Sequence, residues 1–144
     1  MEIFIICSKS FYDDIPVIKE ELETAGHKVI LPNCFDDPGT ELRMKSLGEK
    51  DHSKWKGEML RHSAKVIQGV DAVLVLNGEK NGIPNYIGGA TFAEIYEAFR
   101  QDKIIYCFNP LPEGLIISDE LAGLGIIVLN EDLSLIKQPD ELIR

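Results

Sequence analysis

At 144 residues, with 44% hydrophobic and 27% charged side chains, the chain has the composition of one ordinary globular domain, a size that a single hydrophobic core can serve. That composition excludes a disulfide scaffold, a collagen-like chain and a disordered one. The formal net charge of -9 disfavours polymeric nucleic acid as a partner, because neutralising a phosphate backbone requires Lys and Arg to outnumber the acids locally. A single nucleotide is still allowed, since helix N-termini and backbone amides hold one phosphate without a basic patch.

The apolar run 3–6 reads as a strand buried on both faces, and C-S-K-S (7–10) as the strand-to-helix loop after it. This opening is too short to span a bilayer and lacks the basic flank and cleavage pattern of a signal peptide, which points to a cytoplasmic protein with no membrane partner. From Asp14 onward Ile15, Ile18, Leu22 and Ala25 recur at helical spacing, with Asp13 or Asp14 as cap, Pro16 in the first turn and Gly26 past the end. Residues 27–32 predict a short second strand, and N-C-F-D-D-P-G-T (33–40) a long loop over the active face.

Between residues 53 and 69, Trp55, Met59, Leu60, Val66 and Ile67 fall mainly on one helical stripe that ends at a glycine. Residues 71–77, apolar at five consecutive positions, predict the central parallel strand. A loop over 78–89 with four glycines and a proline follows, and then a helix with Phe92, Ile95 and Phe99 on one face. Residues 103–108 predict a fourth strand and 125–129 a fifth; Asp132 caps a final short helix that Pro139 interrupts. Strands alternating with helices imply right-handed crossovers. The expected fold is a doubly wound α/β domain over residues 1–144, with a five-stranded parallel sheet in the flavodoxin-like order 2-1-3-4-5.

In such a sheet the ligand crevice lies beyond the carboxyl ends of the first and third strands. Two loops should line it: 7–10, where the Ser8 and Ser10 hydroxyls suit a sugar or a phosphate, and 85–91, where Gly88, Gly89 and Thr91 open a helix. Asn77, ending the third strand, is a further candidate contact for sugar or phosphate, and Asn85 and Tyr86 for a base. Ser8, Ser10 and Asn77 fit a role satisfying local backbone equally well. No G-x-G-x-x-G follows the first strand and no G-x-x-x-x-G-K-[ST] occurs, so dinucleotide and nucleoside triphosphate binding lack their mechanical parts. Cys7, Cys34 and Cys107 read as reduced thiols, two of them in buried strands. His27, His52 and His62 are scattered and read as solvent-exposed or helix-surface residues, so neither a metal nor a cofactor is expected. Glu94 stands out. It falls in the first turn of the helix after the glycine-rich loop, where the helix N-terminus keeps a carboxylate ionised, and an ionised carboxylate facing a bound sugar can attack an anomeric carbon. Position alone fits a merely stabilising Glu equally well, at ~0.3–1 kcal/mol.

D-A-V-L-V-L-N (71–77), followed by G-G-A-T-F-A-E-I (88–95) and K-I-I-Y (103–106), resembles the nucleoside 2-deoxyribosyltransferase family and its nucleotide N-glycosidase relatives. The opening M-E-I-F-I-I-C-S is similar to the family's first strand and small-residue loop, so the resemblance extends over roughly the whole fold. It implies that Glu94 is the nucleophile that takes the glycosyl group from the base. It also implies a nucleoside or nucleoside monophosphate as small-molecule partner and a homo-oligomer of at least two copies. Ser63 stands where the family usually carries a substrate-orienting Asp, Gly88 where the transferases often carry another, and Tyr96-Glu97-Ala98 where Gly-Tyr-Ala is usual. The leading expectation is cleavage or exchange of an N-glycosidic bond through Glu94, with hydrolysis ahead of transfer. The alternative, motivated by the two missing acids, is a nucleotide-binding or sensing module of the same fold without turnover. A third, weaker reading makes segment 41–56 a protein contact face.

Overall fold

The computed structural model describes residues 1–138. β1 (Glu2–Cys7), β2 (Lys28–Ile30), β3 (Ala72–Leu76), β4 (Ile104–Cys107) and β5 (Ile127–Val128) form one sheet in the order β2-β1-β3-β4-β5, every pair parallel. The expected doubly wound topology is the observed one. The helices are α1 (Ile15–Thr24), α2 (Thr40–Ser46), α3 (Glu49–Gly69), α4 (Gly89–Arg100) and α5 (Ser118–Ala122).

The pleat of the strands divides the core in two. Ile3, Ile5, Leu74 and Leu76 pack with Ile15, Ile18 and Leu22 of α1, whereas Phe4, Ile6, Val73 and Val75 pack with Ile67 of α3, Ile95 of α4 and Leu121 of α5. Both faces are covered, which is why these strands read as unbroken apolar runs rather than alternating ones. Asp71 sits just ahead of β3 at the amino edge of the sheet, where its Oδ2 accepts the Glu2 amide at 2.8 Å and ties the starts of β1 and β3 together.

Several boundaries differ from the sequence reading. A 3₁₀ segment (Lys9–Asp14) runs directly into α1, so Asp14 has helical backbone and its side chain caps nothing; Ser8 caps the 3₁₀ segment instead, its Oγ accepting the Ser10 amide. The long loop after β2 breaks into turns followed by α2, a helix with no buried residue, which therefore leaves no apolar stripe to detect. α3 starts at Glu49, four residues earlier than its hydrophobic stripe suggests. α4 starts at Gly89, which puts Glu94 in its second turn, and the buried face of α4 is Thr91, Ile95 and Ala98, with Phe99 exposed. The closing helix is one 3₁₀ turn (Leu133–Leu135), capped as expected by Asp132, whose Oδ1 accepts the Ser134 amide at 3.0 Å; Pro139 lies outside the described residues. His27, expected at the surface, is buried at the entrance to β2. None of the described helices is long and apolar enough to cross a membrane.

Candidate functional site

The chain leaves β1 toward α1 on one face of the sheet and leaves β3 toward α4 on the other, so a gap opens beyond the carboxyl ends of these neighbouring strands. A cleft of about 490 Å³ fills it. Its floor is the end of β1 with Cys7 and Ser8. One wall is the start of α4, from Gly88 to Thr91, with Glu94 behind; the other is α2 and the first half of α3, with Glu41, Trp55, Lys56 and Met59. This explains the apolar residues of α3 that exceed what the core needs. Ile67 is fully buried in the core, while Trp55, Met59 and Leu60 line the cleft.

Of the residues expected to form the site, Ser8, Ser10, Gly88, Gly89, Thr91 and Glu94 line this cleft together with Tyr86. Asn77 does not. It has no exposed surface: its Oδ1 accepts the Asn109 amide at 2.9 Å, and its Nδ2 donates to the carbonyls of Asn109 (3.2 Å) and Pro110 (2.8 Å). Asn77 is therefore a clasp on the turn that leaves β4, and the sugar or phosphate contact expected of it is corrected to this structural role. A strand-end Asn reads alike in sequence whether its amide faces a ligand or a neighbouring turn.

Glu94 is partly buried between α3 and α4. Its Oε2 accepts a hydrogen bond from Ser63 Oγ at 2.7 Å, while Oε1 accepts none among the described residues and is open toward the cleft. Burial pushes the carboxyl up to about 7, against the Ser63 hydrogen bond and the Lys56 ammonium, which both favour the anion. The expectation that Glu94 lies in the first turn of the helix is thus corrected: one turn of helix separates it from the free amides, and burial is the larger influence on its carboxyl.

Ser63 is itself buried and receives Asn33 Nδ2 on its oxygen at 2.7 Å; the same nitrogen donates to the Met59 carbonyl at 3.2 Å. The Tyr12 hydroxyl donates to the Asn33 carbonyl at 2.9 Å, and burial and the neighbouring Cys7, Cys34, Glu94 and Glu41 push that hydroxyl's pKa up. Asn33 and Tyr12 carried no signal in the sequence, since their pairing depends on a loop and two elements far apart in the chain. Ser63 was noted only for the acid it lacks. In the structure it is the residue that touches Glu94.

Cations stand on both walls of the cleft. Lys80 is presented by a tight Asn81-Gly82 turn, both residues at positive φ, closed by two hydrogen bonds between Lys80 and Ile83 at 3.0 and 2.9 Å. Its Nζ donates to Ser8 Oγ at 3.0 Å and lies 5.0 Å from the centre of the Tyr86 ring. A Cβ on Gly88 would come within 3.0 Å of the Tyr86 hydroxyl, so glycine there makes room for the phenol. Glu41 pairs with His52 and Lys56, each at 3.0 Å, and these partners, His52 first, bring its carboxyl down to about 2.

The two cleft carboxyls are thus shifted in opposite directions, Glu41 down by its ion pairs and Glu94 up by burial. Cys7, expected as a buried strand thiol, lies half-buried on the cleft floor, where burial and then the Glu94 and Asp14 carboxylates push its thiol up to about 12 and keep it protonated. Among the described residues no three His, Cys, Asp or Glu side chains come together as a metal site would need.

No protein-family model matches the chain, and no curated protein sequence matches it either.

Proposed function

We propose that this protein cleaves or transfers at the N-glycosidic bond of a nucleoside or nucleoside monophosphate, with Glu94 as the carboxylate nucleophile. The observation that carries this reading is a carboxyl group with one oxygen fixed by Ser63 and the other open to a cleft of about 490 Å³. That volume suits a nucleoside-sized ligand, the Trp55 and Tyr86 rings offer faces for a base, and Lys80 with Ser8 offers donors for a hydroxyl or phosphate.

Oε1 of the ionised carboxyl attacks the anomeric carbon as the bond to the base nitrogen breaks. The base leaves with that bond's electron pair and takes a proton from water in the open cleft. Water, or the nitrogen of a second base, then attacks the same carbon; the ester to Glu94 breaks and the carboxylate is restored, the incoming nucleophile losing its proton to solvent. Glu41, ionised and paired, is not needed as nucleophile. The homo-oligomer that the resemblance implies is part of the same proposal.

The second reading, a nucleotide-binding or sensing module without turnover, is favoured by one observation: the side chain that touches Glu94 is the Ser63 hydroxyl, where the resemblance implies a carboxylate. Chromatography of ribo- and deoxyribonucleosides and their 5′-monophosphates after incubation with wild type, Glu94→Ala and Glu94→Gln decides between them. Base released by wild type and by neither variant supports the glycosidase. Binding by calorimetry with no base released from any compound supports the sensor.

A further inference from the structure

We infer that Asn33 is a positioning residue for Glu94: by occupying the Met59 carbonyl and donating to Ser63 Oγ, it turns the Ser63 hydroxyl onto Oε2 of Glu94 and leaves Oε1 for the substrate. The inference deepens the nucleophile role proposed above and rests on it.

The direction of the chain follows from what each group is able to do. A backbone carbonyl only accepts, so the 3.2 Å contact with Met59 requires the nitrogen of the Asn33 amide, not its oxygen, to face α3. That nitrogen has a second hydrogen, directed at Ser63 Oγ 2.7 Å away. With the hydroxyl oxygen accepting from Asn33, its proton finds Glu94 Oε2, also at 2.7 Å.

Without Asn33 there is a competing arrangement. A serine inside a helix commonly turns its hydroxyl back on the carbonyl four residues earlier, and for Ser63 that carbonyl is Met59's. Asn33 takes this acceptor away and supplies a donor in its place, so the polarity runs one way from α3 backbone to carboxylate. Asn33 is held in turn by the Tyr12 hydroxyl on its own carbonyl. The other titratable groups facing Glu94 are Lys56 on α3, Cys7 at the end of β1 and Tyr12 on the 3₁₀ segment; of these, Lys56 favours the anion.

Titration of the Glu94 side-chain carboxyl by ¹³C NMR, run beside the base-release assay, tests this. Loss of the Ser63 donor in Ser63→Ala should raise the Glu94 midpoint by about one pH unit. Asn33→Ala should raise it comparably although Ser63 remains, and the double variant should go no further. Ser63→Thr keeps a hydroxyl and should keep the wild-type midpoint, which separates positioning from damage to the fold. The kcat at pH 7 should fall about fivefold in Asn33→Ala with KM unchanged, as the ionised fraction falls. A wild-type midpoint in Asn33→Ala, or additive shifts in the double variant, overturns the inference. Midpoints that move as expected in a protein releasing no base would uphold the positioning and remove the glycosidase reading instead.

Discussion

Asn77 and Glu94 are polar side chains set close to the carboxyl ends of the central strands, and the fold treats them in opposite ways. Asn77 is completely enclosed, and both ends of its amide are engaged by the backbone of Asn109 and Pro110. Glu94 has one oxygen engaged and the other facing the cleft, with burial holding its carboxyl near 7. A closed polar network of the first kind stabilises a connection and specifies its geometry. A half-satisfied group of the second kind costs stability, and what it retains is the capacity to react. Under the proposed reading, the difference puts reactivity on the α3–α4 side of the switch point and structure on the β4 side.

The comparison is broken most severely at Glu94 itself. Glu94→Gln keeps the shape and the acceptor for Ser63 but removes the proposed nucleophile, and base release should fall by at least about a thousandfold. Asn77→Ala should leave the cleft groups in place and instead cost about 2–4 kcal/mol of unfolding free energy in urea titration, because an amide and two carbonyls of the β4 turn lose their partner.

Glu94→Gln should also stabilise the protein. The native carboxyl sits above its ordinary value, so its contribution to stability is complete below about pH 4.5 and is lost as pH climbs to about 7. The variant should therefore unfold about 1–3 kcal/mol harder than wild type at pH 8, with the gain fading toward pH 4.5. The pH dependence of turnover runs the other way: kcat/KM should rise about tenfold per unit below pH 7 and level above it, as the carboxyl ionises.

Glu41 gives the smallest effect. Its carboxyl is depressed, so its contribution is present above about pH 4.5 and lost as pH falls toward 2. Because its pairs with His52 and Lys56 are partly exposed, Glu41→Gln should cost less than about 1 kcal/mol at pH 7 by thermal denaturation.

How much of this was legible depended on whether a residue's role is local. β1 and β3 could be read because a strand buried on both faces is an unbroken apolar run, and Ile3 to Ile6 and Ala72 to Leu76 have no other use for that pattern. α2 could not, because the ion pairs Arg43–Asp37 and Glu41–His52, not an apolar stripe, anchor it. Seven of the expected site residues reached the cleft, most of them because two loops at a switch point are brought together by topology alone. The Asn33–Ser63–Glu94 chain was invisible because it joins a loop to two helices across 30 and 31 residues and depends on how those helices are rotated. The place of Glu94 within its helix was misjudged by a helix start two residues earlier than the glycines suggested.

The claim that Glu94 is a nucleophile, and not only a buried acid, is tested most directly by trapping the glycosyl-enzyme. Incubation with a nucleoside fluorinated at the 2′ carbon, which slows the second displacement, followed by tryptic digestion and mass spectrometry, reads the modified peptide. The expected result is a glycosyl adduct on residues 81–100, assigned to Glu94 and absent from Glu94→Gln. Base release by wild type with the adduct on Glu41, or with no adduct on any residue, would contradict it.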